Sequence, residues 1–420
     1  MSMNIRTTII YACVAVIVVL LGALSGWYFF LRGQTQATTS ADAARGFSTG
    51  APFGSPTGST YQNMLSDISG GAASSGASSG KALPQLWHAD KAPVAGFAFS
   101  AGTTSTDLSY VERSTGYVFS AAASMQTITR RTNTLLPKIY EAYFDTAGGV
   151  IERGVDGSGA ITTFAGRLST TTTAGATSTA VALSGSYLDT NILALATNAV
   201  TGSVFYLESG TPRVVGLEAQ WDGSKRSTVF SSAIADWRAT WLSDGRVILL
   251  MAPTDGVVGY AYALQSDGSL APLVGPVLGL TVAPRSSASA TTQSLLYGQS
   301  TGSGLTLFAQ VNAQSAPVAL PIHTVADKCV WAPGANLIAY CAVPQVAPAG
   351  NFLDDWYKGL AHTADALWRV DVSAGTVQLV YAPSSGLALD VEDPVIDASG
   401  AYIAFRDKTD GSLWVLRLQK

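Results

Sequence analysis

The sequence predicts an all-β protein whose main domain is a β-propeller of seven four-stranded blades, with six blades as the alternative. From about residue 83 the chain consists of short alternating apolar runs separated by turn residues, and no run of helical period exceeds two turns. Asp-Gly dipeptides recur between these runs, and similar hairpins return at about twice a unit of roughly 45 residues. A transmembrane helix and a disordered linker are predicted ahead of this domain.

The first element is a membrane anchor. No charged residue lies between Arg6 and Arg32, so 25 residues can cross a hydrocarbon layer of about 30 Å at about 1.5 Å per helical residue. The aromatic run Trp27–Phe30 ends this stretch, where amphipathic rings favour the headgroup region. We therefore expect residues 7–31 to contact the lipid bilayer and residues 1–6 to form a short cytoplasmic tail.

The alternative is a cleavable signal peptide, but the apolar stretch is too long for one and has no clean small-residue cleavage site. The balance of positive charges on the two sides of the span is nearly even. A six-residue tail leaves almost nothing to translocate, so we expect a single-pass protein of the cell membrane with its propeller on the extracytoplasmic side.

Residues 32–82 form the second element, a linker rich in Ser, Gly, Ala and Thr. This composition buries too little apolar surface to offset chain entropy, so we expect disorder. A flexible coil of about fifty residues spans roughly 40 Å, which would hold residues 83–420 clear of the bilayer.

The propeller prediction depends on hairpins. Asp-Gly supplies the positive φ angles that two-residue hairpins require, and the six dipeptides begin at Asp156, Asp222, Asp244, Asp255, Asp267 and Asp410.

Three segments align as apolar strand, tight turn and apolar strand: Trp241–Leu250, Trp331–Tyr340 and Ile396–Phe405, with Phe144–Ile151 as a weaker copy. A second hairpin follows each copy, as in Leu367–Val380. Two hairpins per unit make a four-stranded antiparallel blade.

These hairpins resemble the WD40-like repeats of TolB-type propellers, in which a Trp-Ser-Pro-Asp-Gly turn precedes a Leu-Trp-x-x-Asp strand. The resemblance is clear in three or four blades, and the turn at Ala332–Ala335 departs from it because Asp-Gly is absent there. It implies the propeller fold and a tendency to bind proteins or peptides. It implies no catalytic residues.

The last repeat stops early. Ser412–Leu418 reads as a third strand with no sequence left for a fourth, which would leave an open edge. We predict that a strand within Leu86–Phe99 pairs with it and closes the ring.

Two cysteines flank the turn centred on Ala335. Cys329 and Cys341 are equidistant from it, so they would face each other on paired strands and could form a disulfide outside the cytoplasm. The alternative is two buried free thiols. A zinc site is not expected, because His88, His323 and His362 lack ligand spacing with these cysteines.

The segment between Pro344 and Thr363 is an insertion within one blade, and loops on stiff scaffolds often carry function. Its charged and aromatic residues make it the candidate ligand-binding loop: Asp354, Asp355, Trp356, Tyr357, Lys358 and His362. The alternative is that the two aromatic side chains only fix the loop to the blade. The carboxylates of Asp390–Asp393 could bind calcium or form a solvated loop between blades.

Composition limits the remaining functions. With 12% charged residues and a formal net charge of −4, the chain is not expected to bind nucleic acid, and no motif indicates a cofactor. We therefore expect a binding or scaffold module for a protein, a peptide or an envelope polysaccharide. The alternatives are a propeller hydrolase acting on glycans or peptides and a structural surface protein, so whether the chain is an enzyme stays open.

Overall fold

The computed structural model describes residues 83–100, 106–171, 180–286, 293–301, 304–348 and 350–418. The predicted tail, anchor and linker, residues 1–82, lie outside these ranges and stay predictions. Among the described residues, no helix has both the length and the apolar character needed to cross a membrane.

Seven four-stranded antiparallel sheets make up the described part of the chain. Blades 1 to 3 contain β2 Val94–Phe99, β3 Asp107–Glu112, β4 Val118–Ala122 and β5 Thr127–Arg130; β6 Ile139–Phe144, β7 Gly149–Val155, β8 Ile161–Thr171 and β9 Ala180–Tyr187; and β10 Ile192–Asn198, β11 Ser203–Glu208, β12 Val214–Gln220 and β13 Ser227–Ser232.

Blades 4 to 6 contain β14 Trp237–Trp241, β15 Val247–Met251, β16 Val258–Leu264 and β17 Leu270–Leu278; β18 Thr281–Pro284, β19 Leu295–Thr301, β20 Gly304–Gln310 and β21 Val318–Ala319; and β22 Cys329–Trp331, β23 Ile338–Pro344, β24 Asp365–Asp371 and β25 Thr376–Tyr381. Blade 7 contains β26 Val391–Ile396, β27 Tyr402–Asp407, β28 Leu413–Arg417 and β1 Leu86–Asp90. A short helix, α1, spans Phe352–Tyr357, and a single 3-10 turn spans Ala326–Lys328.

The repeat length agrees with the sequence. The first strands of blades 1 to 7 begin at residues 94, 139, 192, 237, 281, 329 and 391. Successive blades therefore begin 44 to 62 residues apart, and the longest interval contains the insertion with α1. The prediction of seven four-stranded blades is confirmed, and the alternative of six is wrong.

Ring closure is also confirmed. β1 pairs antiparallel with β28, with Leu86 opposite Leu416 and His88 opposite Trp414. The first strand of the domain thus supplies the fourth strand of blade 7, and the edge of β28 is covered.

All six Asp-Gly dipeptides lie between consecutive strands of one blade. Gly223, Gly245, Gly268 and Gly411 have positive φ, as two-residue turns require. At Asp156 the loop is longer and Gly159 takes the positive φ instead.

The core lies between neighbouring blades. Along β11, Val204 and Tyr206 join one buried cluster with blade 2, whereas Phe205 and Leu207 join another with Trp237 of blade 4. Successive side chains of a strand point to opposite faces, so a strand covered on both faces has an unbroken apolar run.

Candidate functional site at the mouth of the central channel

A cavity of about 510 Å³ lies at one mouth of the channel that the first strands enclose. Its walls come from the starts of the first strands of blades 1, 2, 4 and 7, from α1 and from the β27–β28 turn. The charged and aromatic residues that line it are Phe97, Glu141, Tyr143, Arg238, Asp327, Trp356, Tyr357, Glu392, Asp393, Arg406 and Lys408. We call the end of the ring that carries this mouth and α1 the α1 face.

The charges of blade 7 form one network in this cavity. Arg406 lies 2.8 Å from Glu392 and 2.6 Å from Asp393, and Lys408 also pairs with Glu392. Burial disfavours ionisation of Glu392, but Arg406 and Lys408 hold the pKa of its carboxyl below the ordinary value. The groups that surround Asp393 at the channel mouth reduce its hydration and raise its pKa, against the pull of Arg406, although the side chain stays exposed to the cavity. Asp393 has a φ of 51°, an uncommon angle for a residue other than glycine.

A second group of interacting side chains in the cavity connects blade 4 to the segment before β22. The Arg238 guanidinium donates to Asp327 at 2.9 Å and lies 3.9 Å from the centre of the Tyr357 ring. The Tyr357 hydroxyl donates to the same carboxylate at 2.7 Å. Burial and then the charge of Asp327 raise the pKa of Tyr357 well above its ordinary value, so the phenol is neutral and is fixed as a donor.

Helix α1 bridges blade 6, which carries it, to blade 4. The Asp255 carboxylate accepts the backbone N–H of Leu353 at 2.8 Å and of Asp354 at 3.2 Å. Thr254 donates its hydroxyl to the Asp354 carboxylate. Phe352 and Leu353 pack against Leu305 of blade 5, so the helix lies over that blade.

Trp356 anchors the helix. It is 1% exposed, its indole N–H donates to Asp390 at 3.0 Å, and the Nζ atoms of Lys328 and Lys408 lie 5.1 and 4.7 Å from its ring centre. An ammonium group over the face of an indole ring forms a favourable cation–π interaction, which is stronger where water is excluded.

Beneath Trp356 lies a buried ion cluster. Lys328 Nζ donates to Asp365 and to Asp390 at 2.6 Å each, and to Thr363 at 2.7 Å. Burial raises the pKa of Asp365. Burial also opposes the ionisation of Asp390, but Lys328 and two neutral donors, Trp356 and Thr363, keep its pKa below the ordinary value.

The candidate loop is thus only partly directed at the cavity. Trp356 and Tyr357 line it, whereas Asp354 bonds to blade 4 and Lys358 is exposed just after α1. His362 is exposed, with Nδ1 3.1 Å from Asp390. Asp355 accepts the backbone N–H of Leu360 with its carbonyl oxygen. The ligand-binding role of the loop stays a prediction.

The segment Asp390–Asp393 is only partly solvated. Asp390 is buried against Lys328, Glu392 is half-buried and paired, and Asp393 is exposed to the cavity. No cluster of three metal-binding side chains occurs among the described residues. The interpretation as a solvated loop is wrong for Asp390, because a buried lysine compensates its charge.

Sequence reasoning missed Arg238, Asp327, Arg406 and Lys408 as cavity residues. Each lies at the start of a first strand, just before one, or near the end of a second strand. Aligning all seven repeats in register would have brought these positions together, but only four repeats were clear.

Cys329 and Cys341 are directly opposed on β22 and β23 and joined by a disulfide. The bond lies in the core between blades 5 and 6. His88 is stacked on Trp414, and His323 Nδ1 lies 2.8 Å from the carbonyl oxygen of Leu305.

No protein-family model matches the chain, and no curated protein matches it. Solved structures with a similar fold include YCF48 from Cyanidioschyzon merolae, with 12% identity, a TM-score of 0.49 and coverage of 80% of this chain and 99% of that chain. TolB from Acinetobacter baumannii has 10% identity and a TM-score of 0.41, with 76% of this chain and 65% of that chain covered.

The tricorn protease has 11% identity and a TM-score of 0.48 over 80% of this chain, which spans 34% of the length of that protein. The likeness to all three concerns the propeller fold alone.

Proposed function

We propose that the chain is a membrane-anchored, extracytoplasmic β-propeller that binds a protein or peptide partner through its α1 face. Residues 7–31 would be the anchor, because they form an uncharged apolar stretch long enough to span a bilayer. The disulfide favours an oxidising compartment and therefore the outer side of the membrane. The repeats that resemble TolB-type propellers lead to the same expectation of protein or peptide binding.

One observation carries the proposal: more of the large exposed apolar side chains lie on the α1 face than at the other end of the ring. Among the described residues, those on the α1 face are Leu135, Tyr140, Val155, Tyr187, Leu193, Ile234, Val257, Val258, Val346 and Leu360. Each lies at a strand end or in a connection at that end of the ring. Those at the other end are Leu83, Met125, Ile128, Val200, Val311 and Val318. An excess of exposed apolar groups on one face favours a protein interface there.

Photo-cross-linking in cells that produce the full chain tests this proposal. A photoreactive amino acid at Val257 or Leu360 reports on the α1 face, and the same group at Met125 or Val311 is the matched control at the other end. We expect discrete protein adducts from the first pair only. Equal adduct formation from both ends, or none from either, would overturn the proposal.

Two further outcomes separate the alternatives. Adducts with a second copy of the chain would favour a structural surface protein. Turnover of a glycan or peptide by the purified full chain would favour the hydrolase. Protease treatment of intact cells tests the sidedness independently, because an extracytoplasmic propeller is accessible to protease and a cytoplasmic one is protected.

A further inference from the structure

Blade 1 carries a cationic surface on the α1 face that the channel mouth does not include. The connection from β5 to β6 runs beside the β3–β4 turn and is hydrogen-bonded to it through the backbone. Three backbone N–H groups of this connection donate to backbone carbonyl oxygens: Arg131 to Val118 at 2.7 Å, Leu136 to Thr115 at 2.8 Å, and Ile139 to Arg113 at 3.0 Å. These bonds hold two segments in one rigid layer, which we call the blade 1 strip.

Four cations lie on this strip: Arg113, Arg130, Arg131 and Lys138. None of the four belongs to an ion pair within the described part of the chain, although most arginines elsewhere in that part have a carboxylate partner. The carboxylate of Glu112 lies on the same turn and accepts hydrogen bonds from the hydroxyls of Ser114 and Thr115. The strip therefore has a positive excess in a chain whose formal net charge is −4.

Two of the arginines have their guanidinium groups over aromatic rings. The Arg113 guanidinium lies 4.5 Å from the centre of the Tyr140 ring, and that of Arg130 lies 5.2 Å from the centre of the Tyr117 ring. A guanidinium over a ring face keeps N–H groups available, and these groups match a carboxylate bidentately. The contact with the ring also reduces the side-chain entropy that binding would cost.

The buried acid beneath the β3–β4 turn does not neutralise the strip. Glu152 lies beneath Gly116, with Oε2 3.1 Å from the point where a side-chain carbon of that glycine would stand. Burial raises the pKa of Glu152 to about 8, so its carboxyl is mostly protonated at neutral pH.

The exposed apolar residue of the strip narrows the kind of ligand. Leu135 is 60% exposed and lies between the Arg131 and Lys138 ends. Arginine and tyrosine are enriched at interfaces with polypeptides, and an exposed leucine beside them offers apolar contact area to such a partner. An anionic polysaccharide has carboxylates but offers little to an exposed leucine. From Arg131 to Lys138 the chain reaches at most roughly 23 Å, which corresponds to about seven extended residues of a partner.

We propose that the blade 1 strip binds an acidic polypeptide segment in which an apolar side chain lies between carboxylates. The carboxylates would pair with Arg113 and Arg130 at the two ends, and the apolar side chain would cover Leu135. This inference rests on the proposed function, since it names the chemistry of the partner that the α1 face receives.

The test uses the full-length chain in mild detergent and a fluorescent eight-residue peptide with one leucine between two pairs of glutamates. We expect saturable binding that weakens at least tenfold between about 0.05 and 0.5 M salt, because exposed charges are screened. Arg130→Glu with Arg131→Glu should weaken binding at least tenfold. Lys225→Glu with Arg285→Glu, the same charge change at the other end of the ring and with one arginine that also lies over an aromatic ring, should leave binding within twofold. Leu135→Ser should weaken binding about threefold to tenfold and leave the salt dependence unchanged.

Several outcomes would overturn the inference: no binding of the peptide, equal loss in both double variants, or an unchanged affinity in Leu135→Ser. Tighter binding of polygalacturonate or of vesicles containing anionic lipid would do the same, because it would assign the strip to another class of ligand. Thermal unfolding of each variant identifies any loss of binding that comes from misfolding. If the peptide fails while cross-linking from Val257 succeeds, only this inference is wrong and the proposed function stands.

Discussion

Glu152 gives the sharpest test of the packing between blades 1 and 2. Its side chain is 1% exposed, and neither carboxyl oxygen has a hydrogen-bond partner in the described part of the chain. Val150, two residues earlier on β7 and therefore on the same face, packs with Val111 and Val118 of blade 1. The carboxyl is thus placed in an apolar layer, which disfavours its charged form.

The sign of the pH dependence follows from this burial. The pKa is raised from an ordinary value of 4.5 to about 8. The folded chain therefore retains a proton that the unfolded chain releases between these values, so the contribution of Glu152 to stability is most favourable below pH 4.5 and falls as the pH rises to about 8. At about 1.4 kcal/mol per pH unit, the full shift would lower the free energy of unfolding by roughly 5 kcal/mol. Entry of water into the site would make the loss smaller, so we expect a value of about 2–5 kcal/mol.

Urea denaturation of the wild type and Glu152→Gln at pH 5 and pH 9 measures this loss. Other groups titrate in the same range, so the difference between the two proteins isolates Glu152. We expect the variant to be similar to wild type at pH 5 and more stable by about 2–5 kcal/mol at pH 9. Glu152→Met removes the same titration and serves as a second variant. A difference between wild type and both variants that does not change with pH would refute the reasoning.

Three further predictions concern other parts of the fold. Lys328→Met leaves two buried carboxylates without their cation and should lower the free energy of unfolding by about 3–5 kcal/mol, measured by urea denaturation at pH 7. Cys329→Ser with Cys341→Ser opens a 12-residue loop and should cost roughly 2–3 kcal/mol, and added reductant should affect the wild type but not the variant. Deletion of Leu86–Asp90 exposes the edge of β28 and should abolish cooperative thermal unfolding, and an unchanged transition would contradict closure of the ring by β1.

The fold could be predicted because strand alternation and turn chemistry are local. Asp-Gly turns and the aligned hairpins determined the four-stranded unit, and the missing fourth strand after Leu418 indicated closure of the ring. Weak copies of the repeat are also expected near Ile192–Leu195 and Leu295–Tyr297, but the sequence does not give their positions within a blade. The segment Ile192–Leu195 is the first strand of blade 3, but Leu295–Tyr297 is the second strand of blade 5 rather than the start of a repeat. Both strands are buried, and an apolar run alone does not give the position of a strand within its blade.

The candidate site was less predictable because its residues come from distant parts of the chain. Trp356 and Tyr357 were identified from their loop, but their partners Asp390 and Asp327 are contacts that only tertiary structure brings together. The blade 1 strip has the same origin. Arg113 and Lys138 are distant in sequence and become neighbours because Ile139 bonds to the backbone of Arg113.

The placement of α1 has a mechanical consequence. The helix belongs to an insertion in blade 6 and is hydrogen-bonded to Asp255 of blade 4, so it links these two blades across blade 5. Blade 5 therefore cannot open locally without breaking the hydrogen bonds between α1 and Asp255. Its amide hydrogens should exchange with solvent in one cooperative event together with those of blades 4 and 6, and Asp255→Ala should allow blade 5 to exchange on its own.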